Sequence, residues 1–132
     1  MASVLAYLDA SAFIKLILDE PESEAFERAI APFRWTSSAI LEVEATRGVR
    51  RRRAASVDAV RALLGSVRMI DIDADIRRTA GELTDPGLRS LDAIHLATAL
   101  SLGERCGTVF AYDERLIAAA RAHGLSVTVP RP

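Results

Sequence analysis

Asp9, Asp92, Asp113 and one of Glu42 or Glu44 carry the chemistry that is easiest to read in this sequence. Asp9 and Asp113 each close a short apolar run, at residues 4–8 and 108–112, of the kind that forms a buried strand. Asp92 falls in the first turn of a helical stretch over 90–100. The two glutamates lie in another helix two residues apart, so they cannot share a face. Carboxylates gathered in a cleft repel one another, and a divalent cation makes such a gathering tolerable. Oxygen ligands without cysteine or a histidine triplet suit Mg²⁺ or Mn²⁺. The reaction such ions support best is phosphoryl-ester hydrolysis, with water activated and charge on the phosphate and leaving oxygen offset. Each acid also has a plainer reading, as a helix cap or a first-turn residue favoured by the helix dipole.

The elements that must position these acids follow from the periodicity. A strand over 4–8 leads to a short helix over 11–18, stopped by Asp19-Glu20-Pro21, and a second helix over 21–31. A strand at 34–37 precedes a helix capped by Ser38 and running to about Arg51, with Gly48 as an interruption. Another helix, 54–64, makes an αα-hairpin with it and presents an arginine run at the tip or edge. A strand over 67–72, an Asp73-capped helix over 74–83 and the turn Asp85-Pro86-Gly87 lead to the helix at 90–100, whose apolar face reads 91, 94, 96, 97 and 100. A strand at 108–112, a helix at 114–122 closed by Gly124 and a strand at 126–129 complete the order. This alternation calls for a parallel sheet covered on both sides, with ligands bound at the carboxyl ends of the strands. Asp9 and Asp113 fall at such ends.

The 132 residues are enough for one domain with a real core. A net charge of -1 gives no global signature of a nucleic-acid binder. Distribution says more: Arg47, Arg50, Arg51, Arg52 and Arg53 form a dense guanidinium face, either a phosphate contact or a solvated surface. Cys106 is the single cysteine, which excludes an intrachain disulfide and a zinc–cysteine cluster. Met1–Ala6 shows no basic leader and no run approaches a membrane span, so the expected location is the cytoplasm, without membrane association. Trp35 reads as a core or dimer-interface residue.

Three stretches resemble the PIN domain, and more closely the VapC-type ribonuclease toxins of bacterial toxin–antitoxin pairs. They are Tyr7-Leu8-Asp9-Ala10-Ser11, Leu91-Asp92-Ala93-Ile94-His95-Leu96-Ala97-Thr98-Ala99, and Tyr112-Asp113-Glu114-Arg115-Leu116. The resemblance runs over essentially the full chain and implies one PIN-like nuclease domain, 1–132. The implied fold is a three-layer α/β/α sandwich around a small, mainly parallel sheet. It implies an endoribonuclease in which Asp9, Asp92 and Asp113 hold Mg²⁺ or Mn²⁺, together with a homodimer and a small cognate antitoxin as partner. The family's helical glutamate matches Glu44, which has Arg47 three positions on; Glu42 is the alternative. Ala111 departs from the pattern, since many relatives carry a hydroxyl there. Ser11 is placed to support Asp9 or to bond its own helix backbone. Lys15, Arg115, Arg51, Arg52 and Arg53 are candidate phosphate contacts, with solvated residues as the simpler reading. His95, embedded in an apolar stretch, reads as a packed residue bonded locally rather than as a base, and His123 as an ordinary helix-end histidine. Two other functions remain open on the sequence: a non-catalytic RNA- or protein-binding module on the same fold, and a nuclease or phosphatase with another substrate.

Overall fold

The computed structural model describes residues 4–132; Met1–Ser3, part of the opening run and of the expected domain, lie outside the described residues. Five strands form one sheet: β1 (Leu5–Leu8), β2 (Arg34–Ser38), β3 (Val67–Ile70), β4 (Cys106–Phe110) and β5 (Val127–Thr128). Their order is β3-β2-β1-β4-β5, and every described pairing is parallel. Seven α-helices cover it: α1 (Ala10–Phe13), α2 (Ser23–Ile30), α3 (Ile40–Arg52), α4 (Val57–Leu64), α5 (Ala74–Glu82), α6 (Ser90–Ser101) and α7 (Glu114–Ala122). The expected three-layer α/β/α sandwich is the observed architecture.

The alternation of β1 sorts the two layers. Ala6 and Leu8 point into one core with Phe13 of α1, Phe26 of α2, Leu41 and Val49 of α3 and Val60 of α4. Tyr7 points the other way, into a core with Leu96 of α6 and Leu116 and Ala120 of α7. β1 is buried on both faces, which is why it reads as a continuous apolar run, whereas β2 buries Thr36, Ser37 and Ser38. Chain order reverses between β1 and β4, and at such a switch point the loops diverge and leave a crevice.

Several local expectations change. The helix expected over 11–18 is one turn of α-helix followed by a 3₁₀ turn, Ile14–Leu16. Ile17 and Leu18 both donate to the Ile14 carbonyl, which tightens the segment before Asp19. Ser38 is the last residue of β2 rather than the helix cap; Ala39 takes that position, although Ser38 Oγ still accepts from Ile40 N–H at 3.2 Å. Gly48 does not interrupt α3. It is buried within the helix, where an added Cβ would stand 3.1 Å from Ile14 Cδ1, so its smallness lets α3 pack closely on the first segment. The face expected on α6 is also displaced: Leu91 is 44% exposed, while Ala93, His95, Leu96, Ala97, Thr98 and Ala99 are buried. The sheet and α5 enclose α6 on two sides, so periodicity on a single face does not describe it.

Candidate active site

Asp9 follows β1 directly, and its backbone N–H donates to Phe110 O at 3.3 Å, which ties it to the end of β4. It caps α1: Oδ1 accepts from Ala12 N–H at 2.9 Å. Ser11 Oγ lies 2.7 Å from both carboxylate oxygens and itself accepts the Tyr112 N–H at 2.9 Å. Ser11 thus fastens the Asp9 carboxylate to the chain that carries Asp113. Asp9 is only 4% exposed. Burial pushes its carboxyl up to about 6, and the charge of Glu44 adds to this; His95, the Ser11 hydroxyl and the Ala12 N–H oppose it.

Asp113 caps α7, with Oδ1 accepting from Leu116 N–H at 3.0 Å. Asp92 is the third residue of α6, and its Oδ2 accepts from the Arg89 backbone N–H at 3.4 Å. Capping therefore explains where these aspartates sit on their helices. It does not explain why all three helices begin at one end of the sheet. The Arg89 guanidinium spans two of them, with Nη2 3.6 Å from Asp113 Oδ2 and Nε 3.8 Å from Asp92 Oδ2. Arginine in that position offsets the repulsion of the paired acids.

Glu44 and Glu42 diverge as their spacing requires. Glu42 is exposed, whereas Glu44 turns inward and its Oε1 meets His95 Nε2 at 2.6 Å. On its other side His95 Nδ1 stands 2.7 Å from the Tyr7 hydroxyl. The expectation that His95 bonds only locally is therefore corrected: it joins β1 to α3 across the fold. Its signal was present in the sequence, because Tyr7 and Asp9 share a strand face at spacing two and Asp92 and His95 share a helix face at spacing three. Arg89 had no such signal, since its reach to Asp113 depends on the path of the turn before α6.

The other candidates separate from this cluster. Arg51, Arg52 and Arg53 lie at the far end of α3, about 10–14 Å along the axis from Glu44 at 1.5 Å per residue. Arg52 pairs there with Glu20 at 3.3 Å. Arg47, exposed and one turn beyond Glu44, is closer to the acids. Lys15 is neither a solvated residue nor a free phosphate contact. It is largely buried, bonded to Glu22 at 2.9 Å and Glu20 at 3.4 Å, with its ammonium 4.8 Å from the Tyr112 ring centre. That pairing also lowers the Glu22 carboxyl. Arg115 lies against the turn at Gly87, whose φ of +72° favours glycine. His123 Nε2 meets Asp85 Oδ1 at 2.9 Å, which fastens the end of α7 to the same turn. Burial raises the Cys106 thiol, which keeps it from being a reactive thiolate.

By type, the cluster suits a hard divalent ion: its donors are carboxylate oxygens, one of them buried with a like charge nearby. Among the described residues no group of three or more His, Cys, Asp or Glu side chains is already arranged to hold a metal ion. In this arrangement Arg89 engages Asp92 and Asp113 while His95 engages Glu44. No helix of the described residues is long and apolar enough to cross a membrane.

The same chain matches the PIN domain model over residues 6–122. It is 41% identical over 131 residues to Ribonuclease VapC35 of Mycobacterium tuberculosis, covering 96% of this chain and 97% of that one. It is 38% identical over 125 residues to Ribonuclease VapC46 of the same species, covering 94% and 96%. Among solved structures, Mycobacterium tuberculosis VapC20, described as a Sarcin-Ricin loop cleaving toxin, aligns with a TM-score of 0.73 at 21% identity, over 96% of this chain and 99% of that one. A toxin–antitoxin complex from Klebsiella pneumoniae aligns with a TM-score of 0.73 at 22% identity, over 95% and 97%. At those identities the structures speak for the fold. The domain match and the two ribonucleases speak for descent, and the chain belongs to the PIN-domain family, among its VapC ribonucleases.

Proposed function

We propose that this protein is a divalent-metal-dependent endoribonuclease, the toxin of a toxin–antitoxin pair, with Asp9, Glu44, Asp92 and Asp113 as its working carboxylates. The observation that carries the reading is the convergence of β1, α3, α6 and α7 on one end of the sheet, with a buried carboxyl in their midst. Capping α1 does not require this burial, whose desolvation disfavours the charged form, and such a perturbed carboxyl at the strand ends supports a functional reading.

Asp9, Glu44, Asp92 and Asp113 would hold Mg²⁺ or Mn²⁺. When bound, such an ion activates water and offsets charge on the phosphate and the leaving 3′ oxygen. The chain's own groups do the rest. Ser11 holds the Asp9 carboxylate in one orientation through the 2.7 Å contacts. Arg89 keeps Asp92 and Asp113 together and brings a guanidinium to the edge where a phosphate would arrive. Arg47 adds a second positive charge on the Glu44 side. No side chain here stands as a separate general base.

The partners follow from the same reading: a single-stranded or looped RNA as substrate, a small antitoxin as inhibitor, and a second copy of the chain. Val43 is 52% exposed and Leu91 44% exposed, each next to a site acid in sequence, so an apolar border lies beside the acids.

The deciding experiment is cleavage of a defined structured RNA with Mn²⁺, with EDTA, and with the variants Asp92→Asn, Glu44→Gln and Glu42→Gln. Cleavage that needs the ion, disappears in Asp92→Asn and falls roughly 10- to 100-fold in Glu44→Gln but not in Glu42→Gln is the expected pattern. Wild-type rates in Asp92→Asn, or cleavage indifferent to EDTA, would sink the mechanism.

A further inference from the structure

We propose that the cleft between α5 and α6 is a subsite for one unpaired nucleobase of the RNA, next to the phosphate that is cut. The proposal rests on the endoribonuclease reading and adds to it the place where the substrate strand is held.

Two helix stripes make the cleft. α5 contributes Arg77, Ala80 and Gly81, and α6 contributes Ser90, Ala93 and Ile94. Each set has the i, i+3, i+4 spacing of one helical face. Leu83 and Leu88, from the connection between the two helices, add apolar wall. The space measures about 370 Å³. That falls within the roughly 300–1,000 Å³ of sites that take small ligands, whereas a docked protein needs roughly 800 Å² of surface from each partner.

Gly81 is the residue that the fold does not explain. Glycine within a helix destabilises it relative to alanine, and is kept where φ is positive or where a neighbour comes too close for a Cβ. Neither applies at this position. Gly81 is not among the glycines with positive φ, and an added Cβ would meet nothing within 4 Å. Gly48, in contrast, has Ile14 Cδ1 at 3.1 Å. What the missing side chain does at position 81 is leave the cleft open, and a local rule broken without a packing return points to function.

Charge identifies the occupant. No Asp or Glu lines the cleft among the described residues, while Arg77 and Arg89 both do. Arg89 is the guanidinium that reaches Asp113 Oδ2 at 3.6 Å and Asp92 Oδ2 at 3.8 Å, so the cleft and the acid cluster share a wall. Arg77 Nη1 donates to the Ile72 carbonyl at 2.6 Å, which fixes its planar head before a ligand arrives. Unpaired bases stack on guanidinium planes as they do on aromatic rings, and Leu83, Leu88 and Ile94 supply apolar cover. A base held here brings its phosphate to Arg89, beside the carboxylates. A base paired within a stem cannot enter, so the cleft selects a nucleotide splayed out of a loop.

The test uses a fluorescein-labelled hairpin RNA and copies of it that each lack one loop base. Binding to the full chain is followed by anisotropy with EDTA present. Loss of one particular base is expected to weaken binding to the unaltered protein roughly 10- to 100-fold. Gly81→Phe, which fills the cleft, should weaken the intact RNA by a similar factor and bind the abasic copy as the unaltered protein does. Arg77→Gln, a change at an exposed side chain, gives the same comparison should Gly81→Phe fail to fold: it should weaken the intact RNA more than the abasic copy. Equal weakening of intact and abasic RNA, or indifference to every loop base, would overturn the subsite. A Gly81→Phe chain that sediments differently yet binds RNA unchanged would make the cleft a contact between copies and overturn it too. RNA bound in the expected base-dependent way but not cleaved with Mn²⁺ would count against the endoribonuclease reading and leave the subsite standing. RNA cleaved with Mn²⁺ at one rate whichever loop base is missing would end the subsite and leave that reading intact.

Discussion

A carboxyl that titrates at about 6 in the folded chain, against 3.8 for a solvated aspartate, favours folding only while it is protonated. The contribution of Asp9 is therefore complete below about pH 4 and is lost as pH rises through about 6. The difference corresponds to about 3 kcal/mol of opposition to folding at neutral pH. Asp9→Asn keeps the shape and the acceptor for the Ala12 N–H. It is expected to be more stable than wild type at pH 7.5, by up to about 3 kcal/mol, and to lose that advantage at pH 4. Urea unfolding at the two pH values measures it; the same difference at both would mean that Asp9 ionises like an exposed acid. The three aspartates were legible in the sequence because each also obeys a local rule, closing a strand or capping a helix. Tyr7 and His95 carried only a spacing signal toward the acids, and Arg89 carried none. Tyr7 and His95 sit in apolar runs that core packing already explains, and Arg89 acts through a turn whose course no local pattern records.

At the scale of elements, α3 carries both the site glutamate and the arginine run, and its length keeps them apart. Arg51, Arg52 and Arg53 look like a phosphate-binding stretch when only their number is counted. Their place at the end of the helix, with Arg52 on Glu20, gives them another setting. Neutralising Arg47 and Arg89 should lower RNA affinity and flatten its dependence on salt, by about one counterion for each phosphate that is no longer neutralised. Neutralising Arg51, Arg52 and Arg53 together should change the slope less. Binding titrations of a catalytically silent Asp92→Asn background across a salt series provide the comparison, and a larger change from the triple variant would return the run to the substrate path. The element boundaries were mostly readable, since strands and caps are set locally. Gly48 is deceptive in the sequence because a glycine that breaks a helix and one that lets another segment approach look alike until the neighbour, here Ile14, is known.

At the scale of the molecule, the exposed Val43 and Leu91 belong to α3 and α6, which face the site from different sides of the chain order. If they form the contact between two copies, Val43→Asp with Leu91→Asp should convert the protein to a monomer by sedimentation at micromolar concentration, with the fold preserved by circular dichroism. A double variant that sediments as wild type would leave that border for another partner. The strand order carries a different consequence, one that concerns time. β1 is made first yet lies in the middle of the sheet, and its partner β4 lies about 100 residues further along the chain. Contacts so distant in sequence form late, because loop closure must be met before they gain anything. The first aspartate leaves the ribosome long before the Phe110 carbonyl that receives its N–H, and before the Tyr112 N–H that fixes Ser11. A growing chain therefore holds scattered acids and no cleft, and the cell that makes it meets a finished active site only after β4 and Asp113 have been translated and docked.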